Sequence, residues 1–214
     1  MRYCAEQASH LALRLTPMIS IRLCLQNFLV ALMLMVSLNA AAAEVDGHRF
    51  DDRIRVADTD LVLNGIGFRA VLMFKAYAAA LYMTEKANQP AGVLAVKGAK
   101  RIQIKMLLDV DAKEFSKAVN VGIPRNSTEA EAAALKDRMQ QFDLTIDAVG
   151  KIRKGDVVTL DFVPTKGMVF SLNGVVKGQT IPGADFYAGL LRIFIGDKPV
   201  DQKLKTGLLS LTDK

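Results

Sequence analysis

From Gly98 to Leu108, apolar and polar positions alternate: Ile102, Ile104, Met106 and Leu108 are offset by one from Arg101, Gln103 and Lys105. A two-residue period predicts a half-buried strand. Residues 61–69 are also strand-like, with Gly65 and Gly67 permitting a bend or bulge. Residues 75–83 are rich in alanine, which favours a helix. Tyr77 and Tyr82, five apart, do not share one helical face, so a strand is predicted there. Residues 157–163 form another strand, ended by Pro164. Residues 168–172 lead through Asn173-Gly174, a strong hairpin signal, into 175–177. Helical periods occupy the rest. Asp111 opens a helix with Phe115, Ala118, Val119 and Gly122 inward, which Pro124 should break. Ser127 or Thr128 caps the next, with Glu129 and Glu131 in its first turn and Ala134, Leu135, Met139 and Phe142 as its apolar stripe. A third covers 184–195 and stops at Gly196; a fourth covers 200–209. This order of strands and helices predicts an α+β fold with a mainly antiparallel sheet.

A different signal stands near the start. Residues 28–38 are an uncharged apolar run of 11 residues, preceded by Arg22 and followed by Asn39 and four alanines. Basic flank, short apolar core and small-residue exit predict a secretory signal peptide cleaved after Ala43. A membrane-spanning helix needs about 20 residues, so a retained N-terminal anchor is the weaker reading. The segment before Met18 is longer and more polar than a signal needs, and Met18 is an alternative start. The expected organisation is a signal at 1–43 and one domain at 44–214, exported to a bacterial periplasm, with no stable membrane span after cleavage. Both cysteines, Cys4 and Cys24, lie in the signal, so the mature chain would hold neither disulfide nor thiolate.

Charge and chemistry narrow the function. The chain carries 28 Lys+Arg against 22 Asp+Glu. Without residues 1–43 the excess is milder still, too small to imply a nucleic-acid partner. The basic clusters Lys97, Lys100, Arg101, Lys105 and Lys151, Arg153, Lys154 lack interleaved aromatics for base stacking and read as solvated strand ends. His48 is the sole mature histidine and reads as a surface residue, so no histidine-cluster metal site can form. Asp109 and Asp111 lack the glycine and terminal glutamate of a calcium loop and read as helix caps. Gly65 and Gly67 lack the third glycine of a dinucleotide fingerprint. Asn126-Ser127-Thr128 reads as a polar helix start rather than a glycosylation site. No catalytic residue, metal or cofactor is assigned.

Three segments in this order resemble the chalcone isomerase-like family, and its exported bacterial branch in particular. They are Leu63-Asn64-Gly65-Ile66-Gly67-Phe68-Arg69 running into residues 74–83, then residues 100–110, then Ile181-Pro182-Gly183-Ala184-Asp185-Phe186 with residues 195–200. The resemblance implies an antiparallel sheet backed by a helical layer, with a ligand cleft between them. In the plant enzymes of the family a phenolate oxygen adds to an enone in the same molecule; an arginine polarises the substrate, and a threonine, a tyrosine and an asparagine add hydrogen bonds. By resemblance the arginine is Arg69 and the threonine position is Tyr77. The tyrosine position is Phe115, and the asparagine position is Gly122, with Asn120 two residues earlier. Most of the polar network is therefore replaced. Arginine with tyrosine at the threonine position resembles the fatty-acid-binding members, in which those groups hold a carboxylate at the end of an apolar cavity.

The residues themselves support an anion site. Arg69 lies among Ile66, Phe68, Val71, Leu72, Met73 and Phe74. A guanidinium keeps its proton and needs an acceptor, and a carboxylate offers two oxygens in matching geometry. Tyr77 could add a hydrogen bond. Met106, Phe115, Val119, Met139, Phe142, Phe186, Leu190 and Phe194 are candidate walls of an acyl tunnel, for which methionine is well suited. Two other readings stay open: Arg69 pairs with an internal Asp or Glu, or it is exposed. The favoured function is a non-catalytic binder of a small amphipathic anion such as a fatty acid. The alternatives are an intramolecular lyase of chalcone isomerase type, and a structural or partner-binding protein of the envelope. The sequence sets no oligomeric state.

Overall fold

The computed structural model describes residues 42–45 and 47–211. Its strands are β1 (Ala42–Val45), β2 (His48–Asp51), β3 (Arg53–Val56), β4 (Thr59–Val71), β5 (Phe74–Met83), β6 (Lys100–Met106), β7 (Val110–Asp111), β8 (Lys151–Ile152), β9 (Val157–Val163), β10 (Gly167–Leu172) and β11 (Val175–Val176). Seven of them form one antiparallel sheet in the order β11-β10-β9-β6-β5-β4-β3. The helices are α1 (Pro90–Ala95), α2 (Lys113–Arg125), α3 (Glu129–Asp147), α4 (Ala184–Ile195) and α5 (Gln202–Leu208). The fold is α+β, with the helices collected on one face of the sheet. The signal expected at 1–43 lies outside the described residues, apart from the backbone of Ala42 and Ala43 in β1.

Alternation sets the two faces. Tyr77, Ala79, Leu81 and Met83 of β5 join Ile102, Ile104 and Met106 of β6 in the main core, against Val119, Leu135, Phe142, Phe186, Leu190 and Phe194 from the helices. Ala78, Ala80 and Tyr82 face the other way, onto Phe50, Val56, Leu61 and Leu63. β5 is thus buried on both faces, which explains why its sequence shows little alternation. Its alanines fit the narrow space between two layers rather than a helix.

Local chemistry accounts for the helix ends. Thr128 caps α3 through a reciprocal box: its Oγ1 accepts from the Glu131 backbone N–H at 3.2 Å, and Glu131 Oε2 accepts from the Thr128 N–H at 2.8 Å. Asp201 caps α5 by accepting from the Leu204 N–H at 3.0 Å. α4 runs over the expected residues and stops at Gly196.

Several expectations are corrected. Pro124 sits in the last turn of α2, which continues to Arg125; that close to the helix end, the missing N–H costs one bond and no longer run is broken. α5 begins at Gln202 because Asp201 caps it. Ala134 is exposed, and Thr145 and Ile146 extend the buried stripe of α3 instead. Leu108 lies beyond β6 and is exposed. His48 is half-buried, its ring 6.1 Å from that of Phe68. Residues 71–74 are not a buried surround for Arg69. The chain turns there with Val71 paired to Phe74, so Leu72 and Met73 form a two-residue hairpin tip. Leu72 takes φ 56°, a left-handed conformation that costs an L side chain about 1–2 kcal/mol.

The basic cluster in β6 is also not simply solvated. Arg101 makes a two-pronged pair with Asp161 across the β6–β9 register. Lys100 is buried, donates to the Val96 carbonyl, and lies 5.7 Å from the Phe162 ring centre. Burial holds its ammonium below the ordinary lysine range. Between that lowered value and the ordinary one, the unfolded chain binds the proton more tightly, so stability should rise with pH across this alkaline window. Lys100→Met is expected to abolish that rise in urea titrations carried from neutral to alkaline pH; an unchanged slope would assign it elsewhere.

Gly65 and Gly67 have a packing role. A Cβ on Gly67 would stand 2.5 Å from the Leu204 carbonyl oxygen, and one on Gly65 would stand 2.3 Å from that of Gly207. The two glycines let the backbone of α5 lie directly on β4. Gly67→Ala is expected to destabilise the fold by ~1–3 kcal/mol, the usual cost of overpacking, read as a lower urea midpoint. An unchanged midpoint would show that α5 shifts freely.

Candidate ligand-binding site

One hairpin positions the two polar residues singled out above. Arg69 of β4 stands directly opposite Tyr77 of β5, and the register slips by a bulge between Arg69 and Ala70. Bulges re-aim side chains, and this one sits where the hairpin leaves the sheet. The Arg69 Cζ lies 5.9 Å from the centre of the Tyr77 ring, within cation–π range. Tyr77 is buried, and burial pushes its phenol up to about 12, opposed by the charge of Arg69 and a hydrogen bond from it and aided by the nearby charge of Asp201. At neutral pH it is a protonated donor.

Asp201 is the acid nearest this pair in its electrostatic effect, yet its oxygens are engaged elsewhere. Oδ2 accepts from the Ala70 N–H at 3.2 Å and Oδ1 from the Leu204 N–H. Among the described residues no ion pair joins Arg69 to a carboxylate. Arg69 is half-buried and opens on a cavity of about 260 Å³ between β4, α2, α4 and the segment before α5. Lys117 and Arg125 of α2 and Lys198 line it as well, against a single carboxylate, Glu114. Four cations facing one anion make the cavity electropositive, and low-dielectric walls concentrate such a field.

Of the expected site residues only Arg69 lines this cavity; Tyr77, Met106, Phe115 and Val119 do not. Met106 pairs in register with Tyr77, so β4, β5 and β6 bring Arg69, Tyr77 and Met106 side by side. Met106 and Val119 are buried, and half-buried Phe115 packs on the same core. Met139, Phe142, Phe186, Leu190 and Phe194 join them there. The apolar lining beside Arg69 comes instead from residues such as Ala118, Val121 and Ile193. At the asparagine position, Gly122 lets α2 approach α4; a Cβ there would meet Ile193 Cγ1 at 2.9 Å. Asn120 turns away and donates to Asp143 at 2.8–2.9 Å. The cations of α2 were not singled out from the sequence. Their spacing carried the signal: Lys117, Val121 and Arg125 recur every four residues and share a helix face.

A larger open groove of about 630 Å³ is lined by the Asn64–Ile66 stretch of β4 with Asp52, Arg53, Lys86 and Ser210. Its charges are mixed, and it offers no concentrated positive field.

The profile of the chalcone isomerase-like family matches residues 42–210. The chain belongs to the chalcone isomerase-like family. The crystal structure of a fatty-acid binding protein from Arabidopsis thaliana matches this chalcone isomerase-like protein with a TM-score of 0.60 at 14% sequence identity, covering 78% of this chain and 95% of that one. At that identity the likeness concerns the fold. No curated protein matches the chain in sequence. Within the family frame, Arg69 and Tyr77 occupy the hairpin from which the resemblance drew its head-group pair.

Proposed function

We propose that this chalcone isomerase-like protein is a non-catalytic binder of a fatty acid or similar small amphipathic anion. The observation that carries the reading is Arg69, unpaired with any carboxylate among the described residues and facing an electropositive cavity. The carboxylate would take two hydrogen bonds from the guanidinium and compete for a third from Tyr77. The acyl chain would run along Ala118, Val121 and Ile193, toward the core formed by Met106, Phe115 and Val119. Tyr77 held protonated, with Phe115 and Gly122 as the neighbouring replacements, favours holding an anion over ring closure. An open cavity at Arg69 favours it over a closed structural role.

We further propose export, with residues 1–43 removed as a signal; the apolar run at 28–38 supports this. Among the described residues no helix is long and apolar enough to cross a membrane. Native mass spectrometry of gently purified protein should show a fatty-acid adduct, or uptake of added decanoate. A chain that is empty and stays empty defeats the reading. An absorbance assay on chalcone-type substrates should show no rate above that of Arg69→Ala; a clear excess would restore the isomerase alternative.

A further inference from the structure

The tip of the β4–β5 hairpin does not behave as a surface turn usually does. Leu72 is 93% exposed and Met73 91%, and Val71 and Phe74 beneath them are exposed as well. Two-residue hairpin turns place glycine or asparagine where φ is positive, yet Leu72 occupies that position at φ 56°. Strain and an apolar surface are thus combined at one point, and contiguous exposed apolar groups mark contact sites.

The surroundings identify the contact. Arg69 lies two residues from Val71 and also lines the cavity. The Ala70 N–H is tied to Asp201, which directly follows the cavity-lining Pro199 and Val200. The cavity and the tip are therefore parts of one surface. Exposed Lys117, Arg125 and Lys198 share that cavity, and exposed Val121 adds apolar area beside them. Apolar side chains projecting from a basic rim match a negatively charged lipid surface, where each cation and each buried apolar group adds to binding. The closing pair Val71–Phe74 keeps the flanking backbone in the ladder, so the tip can enter an apolar layer with few polar groups stranded. Leucine is under-represented among protein-interface anchors, which favour Trp, Tyr and Arg.

The geometry points to docking of the Leu72–Met73 tip on an anionic phospholipid bilayer, with the cavity mouth turned toward the lipid. This inference rests on reading the cavity as an acyl-anion site, since docking would let the ligand pass between bilayer and cavity without crossing water.

The chain contains no tryptophan, so Met73→Trp provides a single reporter at the tip in the full-length protein. Thr165→Trp, in the exposed turn at the opposite end of the sheet, is the control. With vesicles of phosphatidylglycerol and phosphatidylethanolamine, Met73→Trp emission should move to shorter wavelength and be quenched by chain-brominated lipid. Thr165→Trp emission should not. Neutral phosphatidylcholine vesicles or high salt should weaken the effect at least ~10-fold in lipid concentration, as expected for a screened electrostatic contribution. Leu72→Gly combined with Met73→Asn relieves the turn and removes the apolar tip; in protein bearing Phe74→Trp as reporter, it should abolish the shift while the fold stays as stable or becomes more so. Met73→Trp emission that ignores anionic vesicles overturns the inference. Emission already shifted without vesicles overturns it too, because a second copy or another part of the chain then covers the tip. Decanoate binding in lipid-free buffer separates the two readings. If it persists while insertion fails, docking alone is wrong; if it is absent while insertion holds, docking stands and the anion-binder reading falls.

Discussion

Arg69→Ala is expected to weaken decanoate binding roughly 10- to 150-fold. Hydrogen bonds to a charged group contribute about 1.5–3 kcal/mol, and each 1.4 kcal/mol is tenfold in affinity. The loss should lie near the top of that range, because the guanidinium offers two parallel donors at a half-buried position. Arg69→Lys keeps the charge and loses the fork, so it should fall between wild type and Arg69→Ala. Isothermal titration of the three proteins gives the order. Equal affinity in all three would move the head group to Lys117, Arg125 or Lys198, and the assignment of Arg69 would fail. Fold stability should also fall in Arg69→Ala, by about 1–3 kcal/mol, because buried Tyr77 loses its hydrogen bond and cation–π contact with the guanidinium.

The largest effect on stability is expected at Asp161. It forms the two-pronged pair with Arg101 across β6 and β9, in the middle of the sheet, with side-chain exposures of 10% and 22%. Asp161→Ala leaves a guanidinium largely buried without its acceptor, which costs about 3–5 kcal/mol. Against a typical domain stability of about 5–15 kcal/mol, that is a large fraction, and it corresponds to a drop in Tm of roughly 10 °C for a chain of this size. Replacing both partners by apolar residues of similar volume, Arg101→Met with Asp161→Leu, should restore most of the loss, because neither charge is then buried. Thermal unfolding of the single and double variants distinguishes this account from a packing defect. A packing defect would leave the double variant as unstable as the single one.

The sequence carried some of this and not the rest, for physical reasons. β9 and α4 could be bounded from Pro164, Gly183 and Gly196 because each boundary depends on one residue's own backbone. The Arg69–Tyr77 pair came from the family resemblance, and the structure sets the two residues opposite each other because both sit in one hairpin, eight positions apart. The Arg101–Asp161 pair was not accessible, since it depends on β6 lying next to β9, a neighbourhood that no local pattern specifies. Lys100 likewise reads as a strand-end cation until Val96 and Phe162 are placed around it. The apolar stretch 71–74 misled in the opposite direction. Hydrophobicity alone predicts burial, and only the turn at Leu72–Met73 exposes it. The candidate walls of the acyl tunnel are in the core, but the cavity beside Arg69 is lined by the outer face of α2.

Arg69 and Tyr77 face each other within a single hairpin, while the other cations and the apolar walls of the cavity come from segments far along the chain. Residues 63–83 transplanted into a relative of the same fold would carry Arg69 and Tyr77 with them, while Lys117, Arg125 and Lys198 would stay behind. The forked donor on the hairpin and the positive field around it could therefore be altered independently of one another.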